Sequence, residues 1–586
     1  MRSSAEANQV PRALPSRAAA MIRDGFEVYE AEFNRISQRA RLRFEQRDWK
    51  AGQQDALARL ELRGRILTRV VEWIQQLLGH WVSDRELWAA MKAEFSALIA
   101  RRADWQFGET FFNSVTRRIF ATVGVDPSIE FVASDYASSP RPAGQRVYRT
   151  YPSQGSTATL LEAILRDFSF STPWRDFPGD VRLGAAVLDR HLASSENGAP
   201  LQAIDMAWPI FYRGKGAYLI GRMRRAETVA PFILALLHPA EGIQLDALLL
   251  EPNDASNVFS FTRSYFLVET KQPLELIHFL KSILPQKRVS ELYTVIGRHK
   301  HGKTELYREL LHRLEQTRES FVPARGDKGL VMVVFTLPSL DVAFKVIRDA
   351  FAPPKNTTRA EVKNKYALVF RQDRAGRLVD AQEFEHLAFD RSRFAPELLE
   401  ELLSSCGENV SVTANQVHIA HLYAERRVIP LNLFIRETSD DRARSSIIDY
   451  GQCIRDLAAT NTFPGDLLLK NFGVTRTGRI IFYDYDELCL VTDCNFRDLP
   501  LARNDEEEMS GEPWFYVGDR DVFPEEFLPF LGLSDPLRDA FLGAHAELLK
   551  PDFWRRAQEL HRTGAIVHIF PYRSEKRLRP EPGGPP

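Results

Sequence analysis

Two neighbouring stretches of the sequence carry side chains whose types and spacing suit the transfer of a phosphoryl group. They are Phe463-Pro-Gly-Asp-Leu-Leu-Leu-Lys-Asn-Phe-Gly473 and Gly478-Arg-Ile-Ile-Phe-Tyr-Asp-Tyr-Asp-Glu487. Transfer from ATP needs a carboxylate that orients the attacking hydroxyl and accepts its proton. It also needs an amide oxygen and a second carboxylate that hold Mg²⁺ on the phosphates. Protein kinases carry the first two groups as D-x-x-x-x-N on one loop, and Asp466 and Asn471 have that spacing. We predict Asp466 as the base and Asn471 as a metal ligand.

A hairpin is expected to bring the second carboxylate to this loop. Residues 467–474 can pair with 479–483 across a turn at 475–478, which would place Asp484 beside Asn471. We therefore predict Asp484 as the other metal ligand. Lys470, next to Asn471, could offset charge on the transferred phosphate, or it could be a solvated lysine. The alternative for the whole region is a surface hairpin with an incidental Asp and Asn.

An additional carboxylate lies two residues beyond Asp484. Protein kinases have D-F-G where this chain has Asp484-Tyr485-Asp486. Positions two apart in an extended segment face the same side, so Asp486 could orient a water molecule that attacks a phosphoserine. The alternative is that Asp486 pairs with a nearby Arg or Lys.

A lysine on an upstream strand could grip the α- and β-phosphates. Val342-Ala-Phe-Lys345 differs from the kinase pattern V-A-I-K only by Phe for Ile. It follows a loop, 324–330, in which two glycines stand three apart, although the loop does not match G-x-G-x-x-G. Glu383 and Glu385 are the two candidates for the glutamate that would pair with Lys345.

A second phosphate motif competes with this interpretation. Gly297-Arg-His-Lys-His-Gly-Lys-Thr304 matches G-x-x-x-x-G-K-[ST]. A P-loop wraps its backbone closely around phosphate, whereas this loop carries bulky basic and imidazole side chains. The flanking segments also resemble consecutive helices more than a βαβ unit. A P-loop ATPase therefore remains as the alternative.

The remaining sequence must supply the elements that position these residues. The first ~120 residues have the apolar spacing of helices, and strands are predicted at 217–221, 232–237 and 259–269. After residue 321 we predict strands at 331–337 and 342–347, a hairpin of 366–370 with 377–379, a strand at 429–435 and a helix at 442–460. That order predicts a small β-rich lobe followed by a larger lobe.

The composition excludes several classes of protein. The formal net charge of −1 gives no basic field for nucleic acid. The apolar runs, such as 329–337, are too short to span a bilayer, and the N-terminus lacks a signal-peptide pattern. The four cysteines form no C-x-x-C pair, which favours free thiols in a reducing compartment. We expect a cytoplasmic protein that binds neither nucleic acid nor membrane.

Longer runs of the sequence resemble one family, the bacterial isocitrate dehydrogenase kinase/phosphatases. The resemblance covers nearly the whole chain and is strongest from about 270 to 530. It is carried by Lys300-His-Gly-Lys-Thr-Glu305, Phe335-Thr-Leu-Pro-Ser339, Phe344-Lys-Val-Ile347, Gln382-Glu-Phe384, Phe463-Pro-Gly-Asp466, Lys470-Asn-Phe-Gly-Val-Thr-Arg476, Phe482-Tyr-Asp-Tyr-Asp-Glu487 and Glu512-Pro-Trp514.

The resemblance implies a bifunctional enzyme. Such an enzyme phosphorylates a serine of isocitrate dehydrogenase and also removes that phosphate, and the balance directs isocitrate between the citric acid cycle and the glyoxylate bypass. It implies an α+β protein in which a mainly helical α+β regulatory domain, residues 1–310, precedes a bilobal protein-kinase-like catalytic domain, residues 311–586. It also implies ATP and ADP with Mg²⁺, AMP as an allosteric ligand and isocitrate dehydrogenase as the protein substrate, with a homodimer as the candidate assembly.

The resemblance also assigns site residues. The ATP site would comprise Lys345 and the loop residues Ala324, Arg325, Gly326, Asp327, Lys328, Gly329 and Leu330. This loop departs from the family's usual one at Arg325 and at Asp327-Lys328. The active-site aspartate of the family corresponds to Asp380. A catalytically silent pseudokinase that acts as a scaffold is the other alternative, although Lys345, Asp466, Asn471 and Asp484 argue against it.

Overall fold

The computed structural model describes residues 10–132, 146–194, 199–260, 266–353, 355, 357–372, 374–501, 504 and 515–579. The stretch 512–514 that contributes to the family resemblance lies outside these residues. The described chain mixes helices with antiparallel sheets and confirms the predicted α+β class. No helix among the described residues is long and apolar enough to cross a membrane.

The chain begins with a group of packed helices, as the apolar spacing predicts. Their bounds are α1 Leu14–Glu45, α2 Trp49–Leu78, α3 Arg85–Ile99 and α4 Trp105–Phe120. Ile22, Phe26, Tyr29 and Phe33 of α1 recur every three or four residues and are all buried, which is the pattern of a helix with one face in the core. Asp48 caps α2 by accepting a hydrogen bond from Ala51 N at 3.1 Å.

A five-stranded antiparallel sheet follows and packs with further helices. Its strands lie in chain order: β1 Tyr148–Pro152, β2 Ala203–Arg213, β3 Gly216–Arg225, β4 Thr228–Leu237 and β5 Gln244–Leu249. The helices are α5 Thr157–Asp167, α6 Phe177–Ala193, α7 Pro252–Val258, α8 Pro273–Ile283, α9 Val289–Val295 and α10 His299–Gln316. The strands predicted at 217–221 and 232–237 are confirmed. The one predicted at 259–269 is wrong for the described residues, which form only an isolated bridge at Leu267.

A second sheet forms the small lobe that the sequence predicts. Its elements are β6 Val322–Pro323, β7 Met332–Thr336, β8 Val342–Ile347, α11 Arg359–Gln372, β9 Ala381–Asp390, α12 Pro396–Ser405, β10 Val410–Val412 and β11 Gln416–Arg426. The strand order is β10-β11-β8-β7-β6, and β9 also pairs with β11. The long strand β11 therefore contacts three neighbours and holds the lobe together.

The larger lobe contains the predicted helix and the predicted catalytic hairpin. Its elements are β12 Ile429–Pro430, α13 Leu431–Glu437, α14 Asp440–Ala458, β13 Phe472–Val474, β14 Ile480–Phe482, β15 Asn495–Phe496, β16 Asp521–Val522, α15 Phe527–Leu531, α16 Asp535–His545 and α17 Pro551–Arg562. The strand predicted at 429–435 is wrong beyond Pro430, because α13 begins at Leu431.

The hairpin predicted at 366–370 with 377–379 is also wrong, because residues 366–370 belong to helix α11. Val362, Tyr366 and Val369 are buried and stand four and three residues apart, which is a helical period. Thr358 N donates to Glu361 Oε2 at 2.7 Å, and Glu361 N donates to Thr358 Oγ1 at 3.2 Å. This reciprocal capping box at the helix start is visible in the sequence as T-x-x-E.

The buried apolar residues form separate clusters before and after about residue 300. One cluster runs from Leu14 to Ile296, and two others contain only residues from Leu310 onward. Tyr572, near the end of the described chain, nevertheless belongs to the first cluster. Its hydroxyl donates to Asp246 Oδ2 at 2.7 Å, so the C-terminal segment returns to the first sheet.

Candidate functional site

The loop that carries Asp466 is fixed where it begins. Phe463 N donates to Cys489 O at 2.8 Å, and Cys489 N donates back to Phe463 O at 3.0 Å. Gly465 has φ +81°, and a Cβ there would lie 2.3 Å from Glu487 O, so the turn before Asp466 requires glycine. Asp466 Oδ1 accepts a hydrogen bond from Leu468 N at 2.9 Å, which orients the carboxylate.

The β13–β14 hairpin places Asn471 next to the end of β14, the strand that precedes Asp484. Strands β13 and β14 pair with Phe472 opposite Phe482, and Tyr483 N donates to Asn471 O at 3.1 Å. Asn471 is buried, and its Nδ2 lies 3.4 Å from Asp466 O. The predicted hairpin is therefore present, and Asp484 directly follows the residue that is bonded to Asn471.

Carboxylates crowd together after the hairpin. Burial and the nearby charge of Asp484 raise the pKa of Asp486 to about 7. Lys365 Nζ donates to Asp486 O at 2.5 Å, and Lys355 Nζ lies 2.7 Å from Glu487 Oε1. Burial lowers the pKa of Lys355, but its bond to Glu487 and the charges of Asp486 and Asp484 outweigh burial and raise it. The region therefore has an excess of negative charge that a cation would relieve.

Lys345 lies in a buried ion pair on β8. Its side chain is 7% exposed, and Nζ lies 2.8 Å from Glu425 Oε2 and donates to Tyr483 O at 2.8 Å. Tyr366 OH donates to the other glutamate oxygen at 3.1 Å. Burial raises the pKa of Glu425 against the lowering effect of Lys345, and Asp484 is near enough to raise it further. The lysine therefore lies close to the carboxylates of the hairpin.

Glu383 and Glu385 are not the partners of Lys345, contrary to the prediction. Lys345 faces Tyr423 of β11, and Glu383 of β9 faces Tyr423 from the other side. Glu383 is thus two strands away, about 10 Å, and instead lies 2.8 Å from His421 Nε2. Glu385 is exposed. Glu425 is one strand away and diagonal to Lys345, within reach of a long side chain.

The predicted glycine loop, 324–330, connects β6 to β7 beside the strand of Lys345. Gly326 has φ +124° and is packed near Pro430, so this position favours glycine. Arg325 pairs with Glu437 of α13 in the larger lobe. Lys328 Nζ lies 3.0 Å from Glu401, and Gly329 O accepts a bond from Arg348 Nε at 3.2 Å. The loop therefore spans the two lobes at the mouth of the cleft.

Three more residues of the loop, Asp327, Ala324 and Leu330, were among the predicted site residues. Burial raises the pKa of Tyr483, the residue before Asp484, and the charges of Asp484 and Glu425 raise it further. Asp327 lies near enough to Tyr483 to contribute to the same increase. Ala324 N donates to Val334 O at 2.9 Å, and Leu330 is exposed. On the opposite side of the cleft, the Lys470 side chain is exposed, while its backbone carbonyl accepts a hydrogen bond from the Tyr483 hydroxyl.

Asp380 lies in a different place from the other predicted residues. One of its oxygens accepts a bond from Gln382 Nε2 at 2.7 Å. It lines a cavity between helices α7, α9 and α10 on one side and the small lobe and the β13–β14 hairpin on the other, which we term the Asp380 cavity. Lys287, Arg288, Glu425, Arg426 and Arg479 are among the other lining residues. Asp466, Asn471 and Asp484 do not line this cavity. Glu425, which holds Lys345, is the residue shared with the cleft.

The P-loop motif at 297–304 has a structural role in this fold. Residues 292–295 belong to helix α9, and α10 begins at His299, so no strand precedes the motif. Arg298 forms a buried ion pair with Glu30. A Cβ on Gly302 would lie 2.5 Å from Ser290 O, which shows that this glycine permits close packing of α10 on α9. The motif is used for helix packing rather than for a phosphate cradle.

The donor set of the cleft fits Mg²⁺ in the manner of kinases. No group of three or more His, Cys, Asp or Glu side chains that could hold a metal occurs within the described part of the chain. Mg²⁺ usually takes one or two carboxylates and completes its shell with phosphate oxygens and water, so such a group is not required. Asn471 and Asp484, with Asp486 nearby, offer oxygen donors of this kind.

Together these features define a class. A buried lysine–glutamate pair on the small lobe, a D-x-x-x-x-N loop, and an aspartate after the following hairpin are the parts that protein kinases use to bind ATP and transfer its phosphate. The protein is therefore a protein-kinase-like phosphotransferase.

Comparison with known proteins specifies the class further. The family model described as "Isocitrate dehydrogenase kinase/phosphatase (AceK), regulatory domain" matches residues 19–318. The model described as "Isocitrate dehydrogenase kinase/phosphatase (AceK) kinase domain" matches residues 319–574. The chain belongs to the isocitrate dehydrogenase kinase/phosphatase family.

Full-length relatives carry the same name. The isocitrate dehydrogenase kinase/phosphatase of Anaeromyxobacter sp. (strain Fw109-5) is 56% identical over 97% of this chain and 99% of its own. The protein of that name from Xanthomonas euvesicatoria pv. vesicatoria is 41% identical over 96% of this chain and 97% of its own. A solved structure of the ROP18 kinase domain in complex with AMP-PNP and sucrose covers 41% of this chain and 71% of its own, with 12% identity and a TM-score of 0.19, too low to bear on function.

Proposed function

We propose that this chain is a bifunctional ATP-dependent enzyme that phosphorylates a serine of isocitrate dehydrogenase and also removes that phosphate. The balance of the two activities directs isocitrate between the citric acid cycle and the glyoxylate bypass. The observation that carries the proposal is the meeting of the buried Lys345–Glu425 pair with the Asp466 loop and Asp484 in one cleft. A scaffold without catalysis would have no need to bury an ion pair there, since such pairs contribute little net stability.

In the forward reaction each side chain has a separate task. Asp466, oriented by Leu468 N, accepts the proton of the substrate serine as its oxygen attacks the γ-phosphorus. Lys345 holds the α- and β-phosphates, and Glu425 fixes the position of its ammonium group. Asn471 and Asp484 would hold Mg²⁺, which supplies charge neutralisation on the phosphates when bound. The loop 324–330 covers the nucleotide, and Lys470 offsets charge on the transferred phosphate.

In the phosphatase reaction water, rather than a nucleotide, accepts the phosphoryl group. Asp486 orients the water for attack on the phosphorus of phosphoserine; the bond between phosphorus and the serine oxygen breaks, a proton of the water passes to that oxygen, and inorganic phosphate is released. ADP stays in the cleft during this step. Lys365 holds the backbone carbonyl of Asp486 at 2.5 Å, which keeps the carboxylate near Asp484.

We assign AMP, the proposed allosteric ligand, to the Asp380 cavity. Lys287, Arg288 and Arg426 line it and supply positive charge for a phosphate. Glu425 lines the same cavity and binds Lys345, which supports a route from this cavity to the cleft. In this proposal Asp380 acts on the active site through β11. Lys287→Met should weaken the response to AMP while it leaves basal kinase turnover within about twofold.

The proposal extends to the organisation of the chain. We place the boundary between the regulatory and catalytic domains near residue 310. Apart from Tyr572, the first apolar cluster ends at Ile296, and the later clusters begin at Leu310. We place the protein in the cytoplasm, as its substrate requires, and we propose a homodimer as the assembly to test.

One experiment tests both activities. The purified chain is incubated with isocitrate dehydrogenase, Mg²⁺ and labelled ATP, and excess unlabelled ADP is then added after the ATP is removed. We expect label to enter the dehydrogenase and then to leave it as inorganic phosphate. Asp466→Asn serves as the matched control, because it keeps the shape of the side chain but removes the proton acceptor. The proposal is wrong if the wild-type chain transfers no label, or if the label is not released.

A further inference from the structure

A second cavity, of about 320 Å³, lies where the regulatory helices, the first sheet and the C-terminal segment meet. It is distinct from both the cleft and the Asp380 cavity. We term it the arginine cavity, because Arg43, Arg59, Arg213 and Arg374 line it and no aspartate or glutamate does among the described residues. A cavity of this size at a domain interface can hold a small organic molecule.

Two buried hydrogen-bond donors in its wall lack an acceptor within the described chain. Tyr212 is 8% exposed, and its hydroxyl has no hydrogen-bond partner there. His568 Nδ1 accepts a bond from Lys215 N at 3.2 Å, so the proton of the neutral ring is on Nε2, which is buried and also without a partner there. Burial and nearby positive charges lower the pKa of His568 to about 3, which keeps the ring neutral. Unsatisfied buried donors are rare and costly, and a ligand can satisfy them.

The positive charge of the cavity is only partly neutralised. Arg43 already shares Asp55 with Arg39 and also lies 3.2 Å from Asp48. Arg374 makes a hydrogen bond to the neutral Gln53 Oε1 at 2.9 Å, and it forms no ion pair with any carboxylate that the structure describes. Arg374 thus presents a guanidinium at the mouth of the cavity to whatever enters.

Much of the remaining wall is apolar, although Gln53, Thr460, Asn461 and His561 also line it. Phe44, Trp49, Leu57, Leu60 and Ile566 contribute carbon surface beside the arginines and the two donors. Bare inorganic phosphate would leave this surface without a partner, whereas a ligand with a ring or short hydrocarbon body would cover it. The wall therefore suits a molecule with an anionic head and an apolar body.

We propose that the arginine cavity binds a small organic anion, a carboxylate or a phosphate ester on an apolar body, with its head at Arg374, Tyr212 and His568. The head accepts hydrogen bonds from the two unsatisfied donors and pairs with the guanidinium. The body lies against the aromatic and aliphatic wall.

Three probes test the proposal by titration calorimetry of the full chain with saturating ADP and Mg²⁺, so that the cleft is filled. Phenyl phosphate and benzoate carry the two anionic heads on the same ring, and benzyl alcohol is the neutral control. We expect one or both anions to bind at least tenfold more tightly than the alcohol, with affinity that falls as salt rises. The stronger of the two identifies the kind of head.

Variants locate the site. Arg374→Met should weaken anion binding at least tenfold, and Tyr212→Phe, which removes only the hydroxyl, should weaken it about fivefold. Arg562→Met is the matched control, since this exposed neighbour of His561 does not line the cavity, and it should bind as wild type does. Tyr212→Phe should melt no lower than wild type, because its hydroxyl has no described partner to lose. The proposal is overturned if neither anion binds, if benzyl alcohol binds as tightly, or if Arg374→Met and Tyr212→Phe both bind like wild type.

Discussion

The pair of Lys345 and Glu425 gives the sharpest test of the cleft, because stability and catalysis should respond to it differently. Both side chains are nearly fully buried, at 7% and 2% exposure, and their charged atoms are 2.8 Å apart. Removal of one member leaves the other charge buried without its partner, which costs about 3–5 kcal/mol. Removal of both leaves no such charge and can be close to neutral in stability.

We therefore expect Glu425→Leu and Lys345→Met each to lower the stability of the catalytic domain by about 3–5 kcal/mol. At roughly 2–4 °C per kcal/mol for a domain of this size, each single variant should melt about 10 °C lower. The double variant should recover most of that loss. Kinase turnover should fall at least about a hundredfold in all three variants, because each lacks Lys345 or the glutamate that positions it on the phosphates. The double variant restores stability but not phosphate binding.

The assay combines differential scanning calorimetry with label transfer to isocitrate dehydrogenase at saturating ATP. Glu383→Gln is the matched control: this residue is one of the two candidates that the sequence offered, is 44% exposed and pairs with His421. Its replacement should cost less than about 1 kcal/mol and leave turnover within about threefold. The reasoning fails if the double variant is less stable than both single variants, or if Glu383→Gln loses turnover while Glu425→Leu keeps it.

Three further predictions separate the roles of the candidate residues. Lys345→Ala should abolish phosphorylation while Lys303→Ala reduces it far less; loss of ATP binding in the Lys303 variant alone, measured by equilibrium dialysis, would contradict the kinase assignment. Asp466→Asn should retain ATP binding and melting temperature but lose about 10²–10⁴-fold in transfer rate, and near-normal turnover would place the base elsewhere. Asp486→Ala should lose phosphatase activity disproportionately; equal losses of both activities would indicate general damage to the metal site.

The catalytic loop and hairpin were predictable because their geometry is local. Asp466 and Asn471 lie on one loop, so their spacing is visible in the sequence. The turn at 475–478 sets the pairing of β13 with β14, and Asp484 follows the second of these strands. The same local logic would have found helix α11, since Thr358 and Glu361 form a capping box. The prediction of a hairpin there was wrong because a short apolar run does not by itself distinguish a strand from a buried helix.

The partner of Lys345 was not predictable, because strand pairing rather than sequence spacing brings it into place. Glu425 is on β11, and its position is decided by the register in which Tyr423 faces Lys345. A shift of one residue would have turned Glu425 to the opposite face of the sheet. Nothing in the residues around Glu425 marks it, whereas Glu383 and Glu385 stood out only because they follow the lysine strand as kinase glutamates do.

The arginine cavity was not predictable from the sequence for the same reason, because the fold brings together residues that are far apart in the chain. Its key groups come from β2, from Arg374 two residues beyond α11, and from the C-terminal segment, and no two of Tyr212, Arg374 and His568 are near each other in sequence. Each is unremarkable alone, since single arginines and tyrosines are common on surfaces and in cores. The chemistry becomes visible only when the fold buries the tyrosine hydroxyl and the imidazole without described acceptors and brings a guanidinium into the wall of the same cavity. One anion could accept hydrogen bonds from the Tyr212 hydroxyl and His568 Nε2 and pair with the Arg374 guanidinium. The strongest evidence for this site is therefore the pair of buried donors that have no acceptor among the described residues.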